Sequence, residues 1–110
     1  MKILNSKGNF TKAEIFNITQ GATLMKVSEH VGETLELEGF ILYGDEDQKG
    51  EIQEVLALKE TNGMMSATIS QTFIRQFKKA LEFMGEESFN IRVVGGKSKS
   101  GRDYITCEIV

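Results

Sequence analysis

Side chains able to make or break bonds are scarce in this chain. It has one His and one Cys, and His30 and Cys107 lie 77 positions apart. Neither has zinc-ligand spacing around it. His30 has only Glu29 beside it, the setting of an ordinary surface residue rather than of a general base. Cys107 falls on the apolar side of an alternating segment, so a packed thiol is expected. Gly95-Gly96-Lys97-Ser98-Lys99-Ser100 has the composition of a phosphate loop. Its glycine spacing is wrong, however, and a strand rather than a helix follows. Asp45-Glu46-Asp47-Gln48-Lys49-Gly50 is acidic enough to attract calcium, but Lys49 takes a ligand position and the twelfth position is Leu56 rather than Glu. No catalytic constellation, metal site or cofactor loop results. The chain is therefore not expected to be an enzyme, and no cofactor is expected.

What the residues offer instead is a surface for binding. Between positions 92 and 102 stand Arg92, Lys97, Lys99 and Arg102 with no acid among them, and Tyr104 follows at once. Tyr43 and Lys59 close two other apolar segments. Cations spaced along a groove follow phosphates, and exposed rings stack on bases, which is how single-stranded nucleic acid is held. The candidate binding set is thus Tyr43, Lys59, Arg92, Lys97, Lys99, Arg102 and Tyr104. Two plainer readings compete: a basic loop that is simply solvated, and strand tyrosines that only pack against a neighbouring strand. The formal net charge of −3 argues mildly against nucleic acid. The charge is unevenly spread, at +3 over residues 1–26, −8 over 27–60 and +2 over 61–110. Screening confines each surface charge to about 10 Å, so a weakly acidic chain can still present a basic groove.

The elements that must carry these residues can be read from periodicity. Residues 1–9 are polar and contain Gly8. Thr11 with Glu14 forms a capping box, with Phe10 and Ile15 at the staple positions. A short helix should run to about Thr19 and stop before Gly21. Residues 22–32 receive no assignment. Thr34–Tyr43 reads as one long strand, with Gly39 inside it as a bulge or bend. Glu51–Glu60 is a second strand, Asn62-Gly63 a hairpin turn and Met64–Ile69 a third strand. Ser70 caps an amphipathic helix over Gln71–Met84, ended by Gly85, with Phe73, Ile74, Phe77 and Leu81 on the apolar face. Ile69 and Ile74 hold its staple positions. Ser88–Val94 and Tyr104–Val110 alternate as two further strands around the basic loop.

A chain of 110 residues with 40% apolar content, 11 Gly and no Pro fits one domain rich in tight turns. The expected fold is all-β with helices: an OB-fold-like five-stranded barrel of order β-β-β-α-β-β over 33–110, preceded by an extension and short helix over 1–21. A split α+β sandwich and an SH3-like barrel are the alternatives. No apolar run approaches the roughly 18 residues of a membrane span. The opening Met1-Lys2-Ile3-Leu4-Asn5-Ser6 lacks the apolar stretch of a secretory signal. A single Cys cannot form an internal disulfide, so a cytoplasmic protein is expected.

Three stretches carry a likeness. Lys2-Ile3-Leu4-Asn5-Ser6-Lys7-Gly8-Asn9-Phe10-Thr11, Ser66-Ala67-Thr68-Ile69-Ser70-Gln71-Thr72-Phe73 and Gly96-Lys97-Ser98-Lys99-Ser100-Gly101-Arg102-Asp103-Tyr104 resemble small single-stranded DNA-binding proteins of bacteriophages and prophages. The resemblance implies a replication protein that coats exposed single-stranded DNA without sequence preference, in the cytoplasm of a bacterial host. It leaves self-association or contact with other replication proteins open. The long acidic C-terminal tail of bacterial single-stranded DNA-binding proteins is not seen, so recruitment through such a tail is not expected. The competing functional reading is a small protein-interaction module that uses the acidic segment 29–60 to dock a basic partner.

Overall fold

A computed structural model describes residues 2–20 and 24–110. Eight strands and two helices follow one another as β1 (Lys2–Lys7), α1 (Lys12–Thr19), β2 (Met25–Lys26), β3 (Thr34–Leu35), β4 (Leu37–Glu46), β5 (Ile52–Glu60), β6 (Met65–Thr68), α2 (Gln71–Met84), β7 (Ile91–Lys97) and β8 (Asp103–Ile109), with a 3-10 turn over Val27–His30 before β3. With β3 and β4 taken together as the one expected strand from Thr34, the connectivity from there on is the expected three strands, helix, two strands. The hydrogen-bonded ladders form two sheets, ordered β1-β4-β5-β6-β2 and β3-β7-β8. This is mostly β structure with two helices, compatible with an OB-like arrangement. The expected OB-fold-like barrel is not seen closed: among the described residues no ladder joins β6 or β2 to β7 or β8.

The run Thr34–Glu46 belongs to both sheets. Thr34 and Leu35 pair with Arg92 and Ile91 of β7, and from Leu37 the same run pairs with β5. The change of partner coincides with a register shift between Leu37 and Gly39. The sequence places a break at Gly39, and the structure supplies the reason. A Cβ there would land on the Lys7 carbonyl oxygen and lie 3.0 Å from the Gly8 Cα, because the end of β1 crosses directly over this point. Within the stretch read as a polar, Gly-containing extension, Lys2–Lys7 form an edge strand antiparallel to β4, with Ile3 opposite Tyr43 and Lys7 opposite Phe40.

The apolar run Phe40–Tyr43 is continuous because β4 is covered on both faces. Phe40 and Leu42 enter the main core with Leu35, Leu56, Leu58, Phe73, Phe77, Ile91 and Val93. Ile41 and Tyr43 point the other way, into a second cluster with Ile18 and Ala57, flanked by Phe10, Ile15 and Val55. Helix α2 closes the main core as its pattern requires. Phe73 and Phe77 are buried, Leu81 packs against them, and the Phe77 ring meets Phe40 edge-on at 5.3 Å between centroids. Truncating Phe77 to Ala would cost about 3–5 kcal/mol. The helix begins where Ser70 Oγ accepts the Phe73 amide at 3.2 Å and ends at Gly85 with φ +63°.

Helix α1 is only eight residues long, too short to persist alone. Its capping box is complete: the Glu14 amide donates to Thr11 Oγ1 at 3.0 Å and the Thr11 amide donates to Glu14 Oε1 at 2.9 Å. Docking of Ile18 and Ile15 on the outer face of β4 and β5 supplies the rest. Gly21, where the sequence ends this helix, lies outside the described residues.

Candidate nucleic-acid interface

The outer face of the larger sheet is not fully covered by α1. Beyond the last turn of the helix a groove of about 1070 Å³ runs over the sheet. Tyr43, Val55 and Ala67 form its floor, and Ile18 closes one end. One side is the stretch Thr68–Ser70 at the mouth of α2. The other is the β7–β8 hairpin, through Gly95–Lys97 and Asp103–Ile105. Lys26, Val27, Ser28 and Val31 line it from the segment ahead of β3. The walls thus come from both sheets, at the place where no ladder joins them. Most of the lining is apolar, which suits bases, and the cations stand at the rim, which suits phosphates.

The seven residues singled out by sequence separate into two groups. Tyr104 is 40% exposed and lines the groove. It pairs across the hairpin with Gly96. Lys97 also lines the groove, and its only carboxylate partner among the described residues is Asp103 at 3.3 Å. Both side chains of that pair are open to water, so the interaction is weak and holds neither in place. Lys99 and Arg102 occupy the exposed hairpin tip between β7 and β8, with no carboxylate within 4.0 Å among the described residues. These four are brought together.

The other three have different partners. Tyr43 was expected to offer a ring face to bases, but it is only 6% exposed. Its hydroxyl donates to the Ile18 carbonyl at 3.1 Å, closing one of the open carbonyls in the last turn of α1. Burial, and then the charge of Asp45, raise its phenol above the ordinary value. Position at a strand end says nothing about the helix that covers it, and that helix is what buries the ring. Lys59 lies outside the groove, with its side chain 13% exposed. It pairs with Glu14 at 2.9 Å and Glu38 at 3.5 Å and stands 5.5 Å above the Phe10 ring. Its pKa is raised, first by the hydrogen bond to Glu14. The Glu14 carboxyl is lowered in turn, by the Thr11 amide first and by Lys59 next. Arg92 faces Glu108 across the hairpin at 2.9 Å, below the groove.

Two groove residues escaped the sequence reading. Lys26 falls in the stretch left unassigned, where two strand residues run parallel to β6. Ile69 was placed in a staple against Ile74, yet it is 54% exposed and lines the groove. Its signal was available: an apolar residue just before a helix cap, with the staple partner already buried in the core. His30 and Cys107 are both buried, His30 with Nδ1 3.2 Å from Glu33 Oε2 and Cys107 in the main core with its thiol pushed up to about 11 by burial. No group of three metal-ligating side chains occurs among the described residues, and no helix is long and apolar enough to cross a membrane.

Residues 4–110 match the model of the phage single-stranded DNA-binding protein family. No curated protein and no solved structure matches the chain. The match takes in all three stretches on which the likeness rested except the first two residues of the earliest one. The chain belongs to the phage single-stranded DNA-binding protein family.

Proposed function

We propose that this protein coats single-stranded DNA without sequence preference during phage DNA replication, in the cytoplasm of the bacterial host. The two sheets are read as an OB-like barrel left open along the groove, and the groove is read as the path of the strand. Bases enter over the apolar floor, one of them stacked on Tyr104 and another resting on Ile69. Phosphates follow Lys26, Lys97, Lys99 and Arg102. Tyr43, Lys59 and Arg92 are read as structural. The observation that carries this reading is an apolar groove lined by half-exposed Tyr104, Lys26 and weakly paired Lys97, with Lys99 and Arg102 exposed at the tip of the same hairpin, in a chain of this family. Indifference to sequence follows from the chemistry, because every base has a π-face and every nucleotide a phosphate.

The test is a titration with oligothymidine at two salt concentrations. Each phosphate neutralised contributes about −0.7 to the slope of log K against log salt for a single strand, so four cations give roughly −3. Binding that is absent at low salt, or indifferent to salt, defeats the reading.

A further inference from the structure

Gly95 and Gly96 lie inside β7, where glycine weakens a strand because it adds backbone freedom and packs nothing. Neither has a positive φ, so the backbone there does not require glycine. What requires it is space. A Cβ on Gly95 would come 3.0 Å from Val31 Cγ1. A Cβ on Gly96 would come 2.6 Å from both Cζ and the hydroxyl oxygen of Tyr104 and 3.0 Å from its Cε1. The Tyr104 ring therefore lies down across the hairpin, over the bare backbone of its cross-strand partner. With any side chain at position 96 the ring would have to stand elsewhere.

We propose that Gly96 is a positioning residue for DNA binding: by leaving the surface of β7 bare it seats the Tyr104 ring in one orientation at the groove rim, ready to take a base. This rests on the assignment of the groove to single-stranded DNA and adds the device that orients its ring. A ring already seated loses little freedom when a base stacks on it, so the stacking energy appears in the affinity rather than being consumed in ordering the side chain. Ring-over-glycine packing also returns some of the stability that glycine costs the strand.

The chain suits a direct readout, because it has two tyrosines and no tryptophan. In a Tyr43→Phe background all tyrosine emission comes from Tyr104. The experiment measures oligothymidine affinity and a thermal melt for the parent, Gly96→Ala, Tyr104→Ala and the double variant, and quenching of tyrosine emission for the parent and Gly96→Ala, which keep the ring. Gly96→Ala should bind about five-fold or more weakly, the lower end of the loss from removing a stacked ring. It should show reduced quenching and an unchanged or higher melting temperature. In the Tyr104→Ala background the same change should have no further effect on affinity, since there is no ring left to displace. Parent-like affinity and quenching in Gly96→Ala overturn the proposal, as do losses that simply add in the double variant. A measurement on the parent alone guards against a variant that fails to fold. The ring should shift the Gly96 α-proton NMR signals upfield both before and after oligothymidine is added, and an unshifted signal overturns the proposal. A parent that does not bind oligothymidine at all defeats the groove assignment itself, a result distinct from any of these.

Discussion

The two tyrosines should respond to mutation in opposite ways, because one is fastened inside and the other stands at the rim. Tyr43→Phe removes only a hydroxyl, yet that hydroxyl satisfies the Ile18 carbonyl in a place closed to water. Leaving a buried acceptor without a donor costs about 1–3 kcal/mol. In a domain of this size each kcal/mol lowers the melting temperature by roughly 4–8 °C, so a fall of at least about 4 °C is expected. Oligothymidine affinity should stay at the parent value. The alkaline limb of stability should also flatten. The phenol is raised above its ordinary 10.0 in the folded protein. Its contribution is therefore complete below that pH and is lost as pH rises through the folded value. Tyr104→Ala should do the reverse, with a melt shifted by about 1 kcal/mol or less. Its affinity should fall by roughly five-fold to a hundred-fold, the equivalent of about 1–3 kcal/mol for one stacked base. Melting curves and a fluorescence titration on the same samples decide the matter. If Tyr43→Phe melts like the parent but binds weakly, the hydroxyl is a DNA contact and the structural role given to it is wrong. If Tyr104→Ala melts lower and binds as before, the ring is only packing and the interface has been misplaced.

Replacing Lys97 and Lys99 by Ala should flatten the salt dependence by about 1.4 in log–log slope, two contacts at roughly 0.7 each. Lys59→Met should leave that slope unchanged in the same assay, since its charge is already met by Glu14 and Glu38. Ser66 is buried with no hydrogen-bond partner for its hydroxyl among the described residues, so Ser66→Ala should raise the melting temperature by a few degrees, about 1 kcal/mol, and a fall would reveal a hidden partner. The Glu14 carboxyl is held below its ordinary 4.5, so its contribution is complete above that pH and is lost as pH falls through the folded value. Glu14→Gln should therefore lower stability near neutrality and flatten the acid limb of a stability–pH curve. Cys107, buried and raised to about 11, should resist thiol reagents in the folded protein and react promptly once denatured, which a timed labelling experiment reads.

Periodicity and capping made α2 legible from Ser70 to Gly85, because its apolar face meets the core along its whole length. The alternation of Phe89, Ile91 and Val93 was legible for the same reason. β1 was not. As an edge strand it exposes all its residues, and what defines it is a ladder to β4 some forty residues away, which no local pattern records. The candidate site was half legible. Lys97, Lys99, Arg102 and Tyr104 are close in sequence, so one hairpin carries them to one place. The burial of Tyr43 and the pairing of Lys59 were not legible, because the groups that engage them, Ile18, Glu14 and Glu38, come from α1 and β4. Lys26 was invisible because two residues of strand give no period.

The groove walls belong to sheets that share an apolar core but, among the described residues, no ladder beside the groove. Ladder hydrogen bonds fix a spacing to within tenths of an ångström, whereas apolar contacts slide and refill at small cost. Among the described residues, widening or narrowing the groove breaks no ladder bond between β6 and the β7–β8 hairpin; the segment 26–33 ties the two, with Lys26 paired to β6 and the Gly32 amide donating to the Val93 carbonyl at 2.8 Å, so compliance is confined to the stretch away from that tie. A rigid slot would rank bases by size. A compliant one admits purines and pyrimidines on similar terms, so the indifference to sequence proposed for this protein draws in part on the seam between β6 and the β7–β8 hairpin that no ladder closes among the described residues.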